Sequence, residues 1–465
     1  MDSSTSSFDP DLLRRYDVPG PRYTSYPTAP QFRTDFGERE LKAMAAISNG
    51  DPIPLPLSLY LHVPFCENPC FYCGCNRIIT RDKERGSVYL TRLYREATMA
   101  SALFDRDREV EQIHFGGGTP NFLTPGQIAE TLDILHRLFS FARGEQLDCS
   151  IELDPRYITP DEIAELAAAG FNRASLGVQD FDPAVQRAVN RIQNVDETLE
   201  IIAACRTHGF RSVNVDLIYG LPKQTPEGFS RTLDITLAAR PDRIAVYGYA
   251  HMPSMFRAQQ RIPIEQLPPP EMKLELLECA VEKLCQAGYL HIGMDHFALP
   301  QDDLALSKQR GDLHRNFMGY TTHADSDLIG LGVSAISHIG PSFSQNTREL
   351  ERWEEAVDNG RLPVWRGLRL DEDDVIRADA IQSLMCHGRL DFDKIGDRHL
   401  INFRSYFTDA LARLAQLQQD GLLELSAKGV EVTSRGRYLL RIIAMCFDRY
   451  LSTAAAGMPV YSRTV

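Results

Sequence analysis

From about residue 57 the chain alternates short apolar runs with amphipathic stretches. LSLYLHV (57–63), VEQIHF (110–115), LDCSIEL (147–153), NRASLGV (172–178), SVNVDLIYG (212–220) and RIAVYGY (243–249) read as strands. Helical spacing fills roughly 84–105, 124–139, 159–170, 183–190, 195–208 and 225–239, and a further helix at 270–287 follows a PPP break. Several of these helices open on Thr-Pro, a capping residue followed by a proline suited to the first turn. Short strands alternating with amphipathic helices imply a parallel sheet. The expected fold is α/β, an incomplete (β/α)6 TIM-like barrel, because six units are too few for the closed eight-stranded form. An open, doubly wound sheet is the competing layout.

The flanks differ from this rhythm. Residues 1–50 are polar and rich in Ser, Pro and Gly, which reads as a tail. Within them GPRYTSYPTAPQF (20–32) combines prolines with aromatic side chains, giving a stiff, adhesive stretch. The expected division is 1–50, a segment covering the active site; 51–364, the barrel and an extension; and 365–465, a mainly helical C-terminal domain. The last part carries a candidate hairpin at 421–436 followed by a helix RYLLRIIAMCFDRYL, a winged-helix-like order. Asp371, Glu372, Asp373 and Asp374 beside it argue against DNA as its partner.

The 465 residues carry a net charge of -13, which argues against a general nucleic-acid binder. No run of about eighteen apolar residues exists to span a membrane. MDSSTSSFDPDLLRRYD lacks the basic start and apolar stretch of a secretory signal. A cytoplasmic protein is therefore expected. Of the ten cysteines, four (Cys66, Cys70, Cys73, Cys75) fall within ten residues. Cys149, Cys205, Cys279, Cys285, Cys386 and Cys446 are scattered and read as small buried side chains.

The clustered cysteines have the spacing C-x3-C-x2-C-x-C, directly after the first strand. Three thiolates on one loop suit a 4Fe-4S cluster with one iron left open to a small molecule. A structural zinc site usually draws on two separated pairs. A redox disulfide needs only two thiols, and chance burial does not account for such density. A barrel binds its ligands at the C-terminal strand ends. Those ends carry Tyr60 and His62; Gly116, Gly117, Gly118, Thr119 and Pro120; Glu152 and Asp154; Gln179 and Asp180; Asp216, Tyr219 and Gly220; and Tyr249, Ala250 and His251. Each alone has an ordinary explanation. Glu152 or Asp154 can cap a turn, Asp216 can pair with Lys223 or an arginine, and Arg191 can be a solvated charge. Together on one rim with the cysteines they read as a site.

The cysteine spacing resembles the radical S-adenosylmethionine superfamily. The resemblance implies Cys66, Cys70 and Cys73 as cluster ligands, with Cys75 extra. It implies one-electron cleavage of S-adenosylmethionine to a 5′-deoxyadenosyl radical. The implied cofactor contacts are Tyr60, Tyr72 beside the adenine, Gly117, Gly118, Thr119, Glu152, Gln179, Arg191, Asp216 and the backbone of Ala250. PRYTSYPTA (21–29), CGC (73–75), NRASLGVQDF (172–181), DLIYGLPKQT (216–225) and LHRNFMGYTT (313–322) are further similar to the oxygen-independent coproporphyrinogen III oxidase family. That resemblance implies oxidative decarboxylation of two propionates of coproporphyrinogen III to vinyl groups, giving protoporphyrinogen IX in haem biosynthesis. It also implies a second S-adenosylmethionine, touched by Ile336, a separate electron donor and a monomer. No proton-transfer or nucleophilic residue is assigned. Arg22, Arg33 and His314-Arg315-Asn316 are candidate carboxylate partners, Arg22 and Arg315 above all. Met318 departs from the family pattern, where glutamine is common, and cannot replace an amide's hydrogen bonds. The rivals are a haem chaperone sharing the barrel and a zinc-stabilised regulatory protein.

Overall fold

The computed structural model describes residues 9–324, 326–451 and 461–464. The six expected strands are β1 (Leu57–Val63), β2 (Glu109–Gly117), β3 (Asp148–Leu153), β4 (Arg173–Gln179), β5 (Ser212–Tyr219) and β6 (Arg243–Gly248). They pair in parallel in strictly sequential order. A doubly wound sheet would reverse its strand order at a switch point, so the barrel reading holds. Helices α1 (Glu84–Ser101), α2 (Pro125–Leu138), α3 (Pro160–Ala168), α4 (Val195–Thr207) and α5 (Pro226–Ala239) make the crossovers, and α6 (Pro270–Gln286) follows β6. The Thr-Pro starts work as expected. Thr124 accepts from the Gln127 amide and Gln127 returns a bond to the Thr124 amide; Thr159 and Glu162 do the same.

Side chains alternate across each strand. Leu59, Leu61, Ile113, Phe115, Ile151, Leu176, Val215 and Val246 enter the core under the helices. The alternate set faces the lumen, and it is polar: Tyr60, His62, His114, Ser150, Glu152, Ser175, Asn214 and Asp216 lie on those faces. The barrel is thus an apolar shell around a polar interior.

The sheet continues past both edges of the six. β7 (Leu290–Gly293) and β8 (His296–Ala298) add antiparallel beside β6. A hairpin, β9 (His314–Asn316) and β10 (Gly319–Thr321), stands apart. β11 (Asp327–Leu331) runs parallel to β1, and β12 (Ile336–His338), β13 (Ser342–Asn346) and β14 (Val364–Arg369) extend it antiparallel. Sequence reading missed these strands because they are short and carry polar residues such as SFSQN.

The tail reading of the N-terminus fails for the described residues 9–50. Pro10–Tyr16 and Glu38–Asn49 are helices. Leu41, Met44 and Ala45 of the second one are buried at helical spacing against the barrel core. Leu12, Leu13, Tyr23 and Tyr26 are buried instead with the C-terminal helices. There α7 (Glu372–His387) packs beside a three-stranded sheet of Arg389–Asp391, Gly429–Val432 and Leu423–Leu425, which contains the expected hairpin. The expected terminal helix is shorter, a 3-10 turn at Gly436–Leu439 running into Leu440–Met445. No helix among the described residues is long and apolar enough to cross a membrane.

Candidate active site

The cysteine loop leaves β1 at Val63 and is anchored at several points. The Phe71 amide donates to the Val189 carbonyl (2.9 Å), and Asn190 Nδ2 to the Pro69 carbonyl (2.7 Å). Arg77 spans the loop, donating to the Cys73 and Cys70 carbonyls, each at 2.9 Å. Cys66 and Cys70 are buried and Cys73 is half-buried, while Cys75 is exposed; all four are free thiols. Cys66 Sγ lies 3.2 Å from Thr119 Oγ1. Cys70 Sγ receives Arg191 Nη1 at 3.5 Å and Arg156 Nη2 at 3.8 Å. A hydrogen bond from the Cys75 thiol holds the Cys73 thiol down at about 6, while burial pushes Cys66 up to about 11.

Among the described residues no three His, Cys, Asp or Glu side chains converge as one metal ion requires. Thiolates on a four-iron cluster each bind a different iron and stand farther apart. Three thiols on one loop, backed by the guanidinium groups of Arg77, Arg156 and Arg191, fit such a negatively charged cluster.

β2 ends in the glycines. Gly117 has φ +117°, and a Cβ there would lie 2.7 Å from the His62 ring. At Gly118 a Cβ would meet the Pro64 carbonyl at 2.8 Å, and the Gly118 amide donates to the Val63 carbonyl (2.8 Å). A side chain at Gly117 would collide with His62 of β1, and one at Gly118 would push β2 off the start of the cysteine loop. The Gly117 amide donates to Glu152 Oε2 (3.2 Å), and His114 Nε2 lies 3.3 Å from Glu152 Oε1. Burial raises the Glu152 carboxyl, but His114, the Gly117 amide and His62 outweigh it, and the net direction is down. Tyr60 stacks on His114, and its hydroxyl lies 3.1 Å from His62 Nδ1. Gly330 of β11 is the register partner of Tyr60, and a Cβ there would lie 2.5 Å from the Ile336 carbonyl. The bare Gly330 thus lets the Ile336 backbone approach beside Tyr60.

Arg191 is buried, so the solvated-charge reading is wrong. Its Nη1 donates to Asp154 Oδ2 (2.9 Å), and its Nη2 donates to the Gly177 carbonyl. Asp154 does cap the turn, accepting from the Arg156 amide, and it also pairs with both arginines. Burial raises the Asp154 carboxyl, but Arg191 and Arg156 outweigh it and hold it low. Asp216 pairs with neither Lys223 nor an arginine. It accepts from Ser175 Oγ and Asn214 Nδ2, both at 2.9 Å, and burial raises its carboxyl to about 6. Gln179 closes β4 at φ +69°, in the left-handed region, beside a register shift at Gly177.

Cys66, Cys70, Cys73, Tyr72, Gly117, Gly118, Thr119, Glu152, Gln179, Arg191 and Asp216 line one cavity of about 300 Å³ at the strand ends. Below it lies a chamber of about 160 Å³ that shares Glu152, Ser175, Asp216 and Tyr247 and is closed by β10 and Met318. Ala250 lines a different cavity. Gln259 ties the two regions together: its Nε2 donates to the Tyr72 carbonyl (2.9 Å) and the Ala250 carbonyl (3.2 Å), and its Oε1 accepts from the Met252 amide (2.5 Å). Arg22 pairs with Asp295, and Arg33 is exposed beside β14. Arg315 is buried in the β9–β10 hairpin, its guanidinium 4.7 Å from the centre of the Tyr320 ring, with no hydrogen-bond partner for Nε and Nη1 among the described residues. Sequence reading missed Gln259, Arg77 and Arg156. Arg77 lies in a loop, and Gln259 and Arg156 lie in 3-10 turns of five and three residues, too short for a period to distinguish them from surface residues.

The chain matches the Radical SAM superfamily over residues 60–235 and the HemN C-terminal domain over 370–439. It is 50% identical to the oxygen-independent coproporphyrinogen III oxidase of Pseudomonas aeruginosa, over 96% of this chain and 97% of that one. It is 46% identical to the same-named protein of Escherichia coli K12, over 98% of each chain. A solved structure of coproporphyrinogen III oxidase from Escherichia coli, described as a radical SAM enzyme, superposes with a TM-score of 0.90 at 46% identity, covering 95% of this chain and 99% of that one. With the cysteine loop, the bare glycines and the buried Arg191–Asp154 pair set on the rim of a six-stranded partial barrel, these matches place the chain in the oxygen-independent coproporphyrinogen III oxidase family of radical S-adenosylmethionine enzymes.

Proposed function

We propose that this chain converts two propionates of coproporphyrinogen III to vinyl groups, working as a cytoplasmic monomer that takes electrons from a separate donor. The observation that carries this reading is the single cavity in which three loop cysteines face Gly117, Gly118, Thr119, Arg191 and Asp216. When bound, a 4Fe-4S cluster and S-adenosylmethionine supply a one-electron cleavage and a hydrogen-abstracting radical. Cys66, Cys70 and Cys73 hold the cluster. Arg77, Arg156 and Arg191 offset its charge and lower the cost of burying it. Gly117 and Gly118, having no side chains, let the methionine portion lie against the backbone. Asp216 and Gln179 offer acceptors and donors to the ribose and carboxylate groups. Tyr72 and the Ala250 backbone flank the adenine. Tyr60 and Glu152 add polar contacts to the cofactor, and the Ile336 backbone, close to Tyr60 across the bare Gly330, serves a second S-adenosylmethionine.

The lower chamber holds the buried atoms Arg173 Nη1, Asn214 Oδ1 and His296 Nδ1, which have no hydrogen-bond partner among the described residues; that suits a bound polar group or water rather than apolar fill. Residues 51–364 carry the chemistry, and 1–50 and 365–465 cover it.

Anaerobic reconstitution with iron, sulfide, S-adenosylmethionine, a low-potential reductant and coproporphyrinogen III tests the reading. Mass spectrometry is expected to show a tetrapyrrole that has lost two carboxyl groups, with 5′-deoxyadenosine formed alongside. Intact substrate in the presence of a full cluster complement would overturn it. Haem retained without vinyl formation would favour the chaperone.

A further inference from the structure

The turn that joins β11 to β12, Gly332–Ala335, holds two residues in the left-handed region, Gly332 at φ +97° and Ser334 at φ +63°. A Cβ at Gly332 would meet the Tyr89 hydroxyl and lie 2.8 Å from the His62 carbonyl. Serine has a side chain that disfavours this conformation, and such residues persist where their surroundings over-determine them. Here the strands on either side do part of that. The Ser334 amide donates to the Thr347 carbonyl (2.8 Å), Gln345 Nε2 donates to the Ser334 carbonyl (3.2 Å), and the Asn346 amide donates to the Ala335 carbonyl (2.9 Å).

Glu96 of α1 does the rest. It is buried, and its Oε2 accepts from the Gly332 amide and from Trp353 Nε1, both at 2.9 Å. Its Oε1 accepts from Asn346 Nδ2 (2.6 Å), which also donates to the Gly332 carbonyl (2.9 Å). Its partners among the described residues are thus three N–H donors and no cation. Burial pushes the carboxyl up to about 7, although all three donors pull it down. A buried carboxylate on neutral donors is costly, and an apolar residue could fill its space. An apolar residue would leave the three donors without an acceptor. A carboxamide of the same shape accepts on one oxygen only and turns an NH2 towards the third donor.

The turn sits at the end of β1. Tyr89, stacked on Trp353 with ring centres 4.6 Å apart, donates its hydroxyl to the His62 carbonyl (2.7 Å) and accepts from the Val333 amide (3.1 Å). The His62 ring in turn packs against Gly117 and the Tyr60 hydroxyl. At its other end the turn delivers the Ile336 backbone over the bare Gly330, beside Tyr60. Tyr89 is the titratable side chain that faces Glu96; burial and that carboxylate push its hydroxyl well above the usual range, so it stays neutral. Arg92 and Arg95 of the same helix pair with Asp358 instead.

We propose that Glu96 is a positioning residue for the second S-adenosylmethionine: its buried carboxylate fixes the Gly332–Ala335 turn so that the Ile336 backbone is presented to that cofactor. The inference rests on the functional reading above. Glu96 acts through the turn rather than by contact. Without its carboxylate three N–H groups lose their acceptor, Ser334 relaxes from the left-handed region, and Ile336 shifts away from Tyr60. The cysteine loop, anchored by Arg77, Val189 and Asn190, keeps its place.

The test is equilibrium dialysis of radiolabelled S-adenosylmethionine against the anaerobic holoenzyme without reductant, which counts sites per chain and gives an affinity for each. The wild type should show two sites. Glu96→Gln is expected to weaken one of them about tenfold and leave the other within twofold, with iron per chain unchanged. In the wild type the same site should weaken as pH falls from about 8 to about 6 and the carboxyl takes up its proton, whereas in Glu96→Gln it should stay flat. The other site, which binds the same molecule, controls for titration of the cofactor itself. Ser334→Val places a branched side chain at φ +63° and leaves Glu96 untouched; it is expected to weaken the same site, and it decides alone if Glu96→Gln does not fold. Both sites within twofold of wild type, or both weakened equally, overturns the assignment and leaves the functional reading intact. A wild-type holoenzyme that saturates at one S-adenosylmethionine per chain overturns the second-cofactor reading and the assignment with it.

Discussion

Replacing Gln259 by leucine keeps the volume of a fully buried side chain and removes three hydrogen bonds, from the Met252 amide and to the carbonyls of Tyr72 and Ala250. The bond to Tyr72 fixes the cysteine loop, and the bond to Ala250 fixes the backbone beyond β6. Each is worth about 0.5–1.5 kcal/mol net, so the pair contributes about 1–3 kcal/mol to holding the two segments in register. If that registration forms the adenine contact, its loss appears as an S-adenosylmethionine Kd raised about tenfold to a hundredfold. Gln259→Glu retains the acceptor for Met252 and loses the donor to both carbonyls, and it is expected to show the same weakening. Isothermal titration on cluster-loaded protein measures both variants, with iron per chain determined in parallel. Both variants binding within twofold of wild type would refute the argument that Gln259 positions the adenine contact. A normal Kd with depleted iron would show that the bond to Tyr72 serves the cluster instead.

Alanine at Cys66, Cys70 or Cys73 should reduce iron and sulfide to background while Cys75→Ala retains both; elemental analysis of the four variants decides this, and a Cys75 variant without iron would contradict the ligand assignment. Burial raises the Asp216 carboxyl from 3.8 to about 6, so its contribution to stability is complete below pH of about 4 and is lost as pH rises through about 6. That interval corresponds to about 3 kcal/mol. Asp216→Asn should flatten that part of the stability curve, and an unchanged slope by chemical denaturation would count against it. Arg191→Met leaves Asp154 buried with Arg156 as its remaining ion-pair partner and should lower barrel stability by about 3 kcal/mol, read from the urea midpoint; a loss below about 1 kcal/mol would mean that Arg156 suffices.

The barrel was legible because short apolar strands alternate with amphipathic stretches and several of the helices open on a capping residue and proline, as at Thr124-Pro125 and Thr159-Pro160. The cysteine loop was legible because its spacing is local. The covering elements were not. ISH at 336–338 is too short for a period to emerge, and its pairing with β13 depends on a partner brought in by the fold. Glu38–Asn49 has its apolar positions masked by charged neighbours. Taken alone, Arg191 could have been a solvated charge, because its partner Asp154 lies 37 residues away. Nothing local marks a long-range ion pair. The same holds for Arg441, whose partners Gly20 and Pro21 lie at the other end of the chain.

Arg441 also fastens the two extremities to each other. Pro19 bridges to Arg463, and the Gly20 amide donates to the Ser462 carbonyl. The chain is thereby laced into a loop, although no covalent bond closes it. Removing residues 1–21 or 461–465, or appending a bulky fusion at either side, would unpick the same seam, whereas linking the ends and cutting a surface turn elsewhere should leave the seam whole. Affinity tags, usually treated as neutral passengers, would here pull on that seam.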